Sequence, residues 1–230
     1  MSLPTIHAIL VPQGVEYNAV RNGLSRITAP TPPVISIPVG IPAFTRFLQQ
    51  WEGIAPLQKQ SQPKVLIMGL CGSLTPKYKI GDAVVFQDCI YHKDGNIVSH
   101  HKCDDDLTNY LEKYGVKVKG ITCDRIISSA SEKRYLSQTF GADVVDMEGI
   151  AALDFFDSLN VGVGILRIVS DDSKHDLPNL NSALTPQGSL ATLPLALGML
   201  RQPIAAYRLI NGSLRAIKIL QQVTTKLFEN

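Results

Sequence analysis

Lys64-Val65-Leu66-Ile67-Met68 and Val161-Gly162-Val163-Gly164-Ile165-Leu166-Arg167-Ile168-Val169 are apolar almost without interruption, with no polar alternation that would leave one face in water. Such runs read as strands buried on both faces, which requires helices packed on either side of the sheet. Thr5–Pro12, Pro33–Val39, Gly81–Phe86, Val116–Cys123 and Ala142–Asp146 read as further strands. Helical spacing follows in Gly14–Leu24, Ala43–Trp51, Asp104–Tyr114, Ser131–Phe140, Glu148–Leu159 and Ile204–Phe228. The fold class is therefore α/β. With 230 residues and 45% hydrophobic content, a full core can form, and one domain spanning 1–230 is expected.

A net charge of +2 with no dense Lys/Arg run gives no electrostatic footprint for nucleic acid. No apolar stretch reaches the length of a membrane span and no secretory leader is recognisable, so a cytoplasmic protein with no membrane partner is expected. Cys71, Cys89, Cys103 and Cys123 form no CxxC pair and read as reduced thiols. The spacing of Cys89, His92, His100, His101 and Cys103 matches no usual zinc site, so no metal is expected. Glu52–Pro63 reads as a polar linker, Gly69–Leu74 as a glycine turn, the stretch up to Cys103 as a hairpin or protruding loop, and Ser173–Gly188 as a long loop able to cover a site.

Chemistry concentrates where strands end. In Val144-Val145-Asp146-Met147-Glu148-Gly149, two carboxylates two residues apart project to one side of an extended segment, with an apolar thioether between them. That pattern suits a polyhydroxylated sugar: the carboxylates accept from vicinal hydroxyls and Met147 offers a soft surface to the ring. Glu16 lies just past the first strand, and Ser170-Asp171 closes the Val161 run. Gly69-Leu70-Cys71-Gly72-Ser73 could turn backbone N–H groups toward an anion or polar ligand edge.

In order and spacing, Pro12-Gln13-Gly14-Val15-Glu16, Gly69-Leu70-Cys71-Gly72-Ser73, Gly81-Asp82-Ala83-Val84-Val85, Asp146-Met147-Glu148-Gly149-Ile150-Ala151 and Arg167-Ile168-Val169-Ser170-Asp171 resemble the nucleoside phosphorylase and methylthioadenosine/S-adenosylhomocysteine nucleosidase family. The resemblance implies a central mixed sheet partly closed into a barrel, a homo-oligomer, no cofactor, and cleavage of a ribosyl N-glycosidic bond in a small-molecule nucleoside. It makes Asp171 the acid that protonates the purine, Glu16 the base for water, Glu148 the holder of the 3′-hydroxyl and Asp146 that of the 2′-hydroxyl, with Met147 under the ribose. To donate, Asp171 would have to be kept protonated by burial or nearby negative charge. Cys71, Gly72, Ile126, Ile127 and Ser170 are the implied base pocket, and Gly14, Gly69, Leu70 and Ser73 an anion or water pocket.

A phosphorylase of the trimeric type usually has arginine where this chain has Met68, so water is the expected nucleophile and phosphate a partner only in the alternative reading. Arg21, Arg46 and Arg167 would be its candidate ligands. A non-catalytic nucleoside-binding protein would not need Glu16 and Asp171 together. Asp171 also points to adenine, because one carboxyl oxygen can donate to N7 while the other accepts from the exocyclic amine. His7, His100 and His101 could serve a 5′-hydroxyl or a neighbouring subunit's site, or be ordinary structural histidines.

Overall fold

In the computed structural model, which describes residues 3–189 and 191–229, the two apolar runs become adjacent parallel strands, β3 (Lys64–Ser73) and β8 (Gly162–Asp171). All of β3 except Leu70 and all of β8 except Gly162 is buried. The expected glycine turn after Met68 does not form. β3 continues through Gly69–Gly72 with a register shift between Cys71 and Gly72, and its glycines leave room for side chains of the site to press against the strand.

β3 pairs antiparallel with β7 (Val144–Asp146), β7 parallel with β6 (Val116–Thr122), and β6 parallel with β4 (Ala83–Lys93). β4 then meets β8 antiparallel, which closes a mixed five-stranded barrel back onto β3. β1 (Ala8–Pro12) extends the sheet from the first half of β3, and β2 (Val34–Ile37) lies outside β1. The stretch up to Cys103 is the hairpin of β4 with β5 (Asn96–Lys102).

Helices cover both sides, as the doubly buried strands require. On one side α2 (Ile41–Gln50) and α6 (Gly149–Asp157) bring Phe44, Leu48, Leu153 and Phe156 against the sheet. On the other, α1 (Val15–Leu24), α4 (Asp105–Leu111) and α8 (Pro203–Phe228) bury Val20, Leu107 and Leu220. The linker expected between Glu52 and Pro63 holds a short helix, α3 (Ile54–Gln58). A further helix, α7 (Thr192–Arg201), precedes α8 and was not expected from the sequence.

Local chemistry sets the ends of α5 (Ala130–Phe140), whose Ser129 side chain accepts from the Glu132 N–H, while Gly141 closes it in the left-handed conformation at φ 66°. α8 crosses the functional end of β8 at Gly212, where a Cβ would collide with the Ser170 carbonyl. Glycine there lets the helix lie directly on the strand that carries the Ser-Asp pair.

Candidate active site

The strand ends converge on a cavity of about 260 Å³ lined by Glu16, Leu70, Cys71, Gly72, Asp146, Met147, Glu148, Ser170 and Asp171. Glu16 comes from the first turn of α1, Asp146 ends β7, and Glu148 is the residue capping α6. Glycine is required twice along β3. A Cβ on Gly69 would lie 2.5 Å from Arg167 Nη1 and 2.9 Å from Glu16 Oε1, and one on Gly72 would lie 2.8 Å from Asp171 Oδ2.

Arg167 is the electrostatic centre. Its fully buried guanidinium donates through Nη2 to Asp146 Oδ2 at 2.6 Å and to Glu148 Oε2 at 3.1 Å, so the two carboxylates share one cation. Nε and Nη1 are buried and have no hydrogen-bond partner among the described residues, although Nη1 and the Glu16 carboxylate converge on the same point of the β3 backbone. Buried donors of this kind call for a water or a substrate oxygen.

Asp146 does not have the freedom expected of it. Oδ1 accepts from Thr122 Oγ1 at 2.7 Å and from the Gly149 N–H at 3.2 Å, and Oδ2 accepts from that N–H at 3.0 Å and from Arg167. A carboxylate offers about four acceptor positions. None is left for a 2′-hydroxyl, and the side chain has no exposed surface. Glu148 accepts only from the Gly40 N–H at 3.1 Å on Oε1 and from Arg167 on Oε2, so each oxygen can take another donor.

Burial pushes Glu148 up to about 7, with Arg167 pulling it down and Asp146 and Glu16 adding to the rise. Burial likewise raises Glu16, against Arg167 and the Leu70 N–H, which donates to its Oε1 at 2.5 Å. A carboxyl whose folded pKa exceeds its unfolded value holds extra proton in the native state between the two. Its stabilising contribution is full below pH 4.5 and is lost as pH rises through about 7. The melting temperature should therefore fall across that window, and Glu148→Gln should flatten the slope; an unchanged slope would remove Glu148 as its source.

Asp171 Oδ1 accepts from Ser170 Oγ at 3.0 Å, and the Lys133 ammonium donates to Oδ2. Lys133 is fully buried and also donates to the Asp172 carbonyl at 2.7 Å. Asp171 is buried, as the expected acid would need, but the charge that faces it is a cation rather than a second carboxylate. Lys133 was missed, although its signal was present: with Ala130, Leu136 and Phe140 it lies on the buried face of α5, where a lysine needs a partner.

Ile126 and Ile127 line the cavity, as does Arg125, which is paired with Glu132. The long loop does cover the site. Leu177 and Leu184 form part of the cavity wall, and Asn181 holds the Ile126 backbone through its N–H at 2.9 Å and its carbonyl at 3.1 Å. Of the expected anion pocket only Leu70 lines the cavity: Gly14 is exposed at the start of α1, Gly69 lies against Arg167 and Glu16, and Ser73 is buried with its hydroxyl donating to the Thr75 carbonyl at 2.6 Å. Neither Arg21, stacked on Tyr17, nor Arg46, bonded to the Pro186 carbonyl, reaches the cavity. His7 accepts from the Lys64 N–H, while His100 and His101 pair with Asp88 and Asp154.

A mixed barrel with a carboxylate-rich cavity at its strand ends is the architecture of nucleosidases and nucleoside phosphorylases, and this protein is an enzyme of that kind. The chain belongs to the phosphorylase superfamily, whose family model matches residues 57–187. Similar solved structures include the 5′-methylthioadenosine/S-adenosylhomocysteine nucleosidase of Helicobacter pylori, with TM-score 0.67, 16% identity and 96% of each chain covered. The futalosine hydrolase of the same organism gives 0.66 and 15%, covering 96% of this chain and 95% of that one. The Arabidopsis thaliana 5′-methylthioadenosine nucleosidase gives 0.64 and 16%, covering 97% and 95%. No curated relative matches the chain by sequence.

Proposed function

We propose that the protein hydrolyses the N-glycosidic bond of a purine nucleoside, with adenine as the preferred base and a 5′-modified ribose accepted. The charge inventory of the cavity carries the choice of water over phosphate. Glu16, Glu148 and Asp171 face the site with Asp146 directly behind, and Arg167 and Lys133 are already engaged with three of these four. Arg125 is paired outside this set, and Met68 is an apolar buried residue. A phosphate dianion would enter a surplus of carboxylates whose cations, Arg167 and Lys133, are already held by Asp146, Glu148 and Asp171, whereas a neutral water beside Glu16 adds no charge to that set.

Cleavage moves the bonding electrons from the anomeric carbon to the base, leaving an oxocarbenium-like sugar and a purine that needs a proton at N7. Asp171, oriented by Ser170, passes that proton to N7, and the Lys133 ammonium that donates to its other oxygen is the source that replaces it. Glu148 accepts from the 3′-hydroxyl with its remaining lone pairs, and Met147 lies under the ring. Glu16 takes the proton from water as its oxygen bonds to the anomeric carbon. Asp146 works one layer back, holding Arg167 in place. Pro12, Val39 and Leu184 give the cavity an apolar edge that suits a 5′ substituent; among the similar structures, a Helicobacter pylori nucleosidase variant holds 5′-methylthioadenosine in its active site.

Base preference tests the assignment of Asp171. Adenosine and 5′-modified adenosines should exceed inosine in kcat/KM by about tenfold or more, because a 6-oxo group presents an acceptor to a carboxylate acceptor. Equal or better release of hypoxanthine or uracil in a panel followed by chromatography would exclude this reading of the base.

A further inference from the structure

Six large apolar side chains of α7 and α8, Leu193, Leu197, Leu200, Ile204, Tyr207 and Leu214, are between 52% and 78% exposed. Leu193, Leu197 and Leu200 recur at helical spacing on α7, and Ile204, Tyr207 and Leu214 do so on α8, which begins just past Gln202. Ala206, Gly212, Ala216 and Leu220 mark the opposite, buried face of α8. An apolar surface of this extent has a partner.

Charge identifies that partner. From Thr192 through Phe228 there is no Asp or Glu, while Arg201, Arg208 and Arg215 recur every seven residues beside the apolar stripe and Lys218 continues the edge. All four cations are exposed, and none makes an ion pair among the described residues. Arg208 and Arg215 border a cavity of about 320 Å³ whose other wall carries Asp171, Asp172 and Asp176, yet they pair with none of these. A second copy of the chain is a poor match, since a two-fold interface would bring this acid-free basic face against itself. An interfacial helix, apolar on one side and lined by arginine, fits a layer of anionic headgroups over acyl chains.

We propose that the exposed face of α7 and α8 seats the protein on an anionic lipid surface, with the apolar side chains entering the headgroup layer and the four cations meeting lipid phosphates. The protein lies on the bilayer without crossing it, consistent with no described helix being long and apolar enough to span. The expectation of no membrane partner was drawn from the absence of a span and a leader, neither of which an interfacial helix needs. Attachment here bears on the site: at Gly198, α7 rests against Leu180 and Asn179 in the segment that covers the cavity.

The test is flotation of the full-length protein with vesicles of phosphatidylcholine alone or mixed with phosphatidylglycerol, at low and high salt. Binding should require phosphatidylglycerol and weaken with salt. Leu200→Glu should lower it at least tenfold, and Arg201→Glu and Lys218→Glu roughly fivefold each, with adenosine turnover unchanged. No binding to phosphatidylglycerol vesicles at low salt, or equal binding to both vesicle types, would overturn the proposal. So would a concentration-dependent oligomer, seen by sedimentation, that Leu200→Glu dissociates, because the face would then belong to a second copy.

Discussion

Asp171→Asn is expected to lower turnover of adenosine by about 10²-fold or more, since the amide cannot give N7 the proton that the carboxyl supplies. The same substitution has a second effect that the neighbouring lysine makes unavoidable. It leaves the Lys133 ammonium, fully buried, with only neutral acceptors, the amide oxygen and the Asp172 carbonyl, and no counter-charge. Breaking one side of a buried pair costs about 3–5 kcal/mol, so the variant should unfold at markedly lower denaturant. Adding Lys133→Met removes the stranded charge and should restore much of that stability while turnover stays low. If turnover returned together with stability, Asp171 would be a structural residue. Glu16→Gln separates the other half of the reaction, abolishing hydrolysis while adenine still binds.

Arg167→Leu should destabilise the fold by about 3–5 kcal/mol, because Asp146 and Glu148 lose the one cation they share and Glu16 loses the nearest positive charge. The deficit should shrink toward acid pH, where the stranded carboxylates take up protons. Urea unfolding at pH 5 and pH 8 measures both effects. A loss under about 1 kcal/mol, or one that does not vary with pH, would mean that the three carboxylates do not depend on Arg167.

Much of this arrangement was legible because burial and acidity alternate so sharply along the chain. The Val161–Val169 run could only be a central strand, and its termination in Ser170-Asp171 places a carboxylate at the sheet's end. Asp146 and Glu148 do meet one guanidinium nitrogen, but not through the expected extended period: the strand stops at Asp146, and Glu148 already caps α6. What the chain did not disclose is which acceptors are already filled. Thr122, on a strand remote in sequence, saturates Asp146, and Lys133, on a helix, occupies one oxygen of Asp171. Such pairings depend on barrel closure through β6 and β7, which local periodicity cannot express. The glycine segment misled for a related reason: its glycines answer to Arg167, Glu16 and Asp171 pressing on β3 rather than to a turn. α7 was overlooked although Leu193, Leu197 and Leu200 carry helical spacing; in the structure these three face outward rather than into the core.

The choice of nucleophile is the point on which the mechanism stands, and it can be read from products. Protein freed of phosphate by dialysis is incubated with adenosine, with and without added phosphate, and base and sugar are separated by chromatography. The charge balance around Glu16 and Arg167 predicts adenine release at the same rate in both reactions, with free ribose as the sugar product. Adenine release only after phosphate is added, accompanied by ribose 1-phosphate, would contradict it.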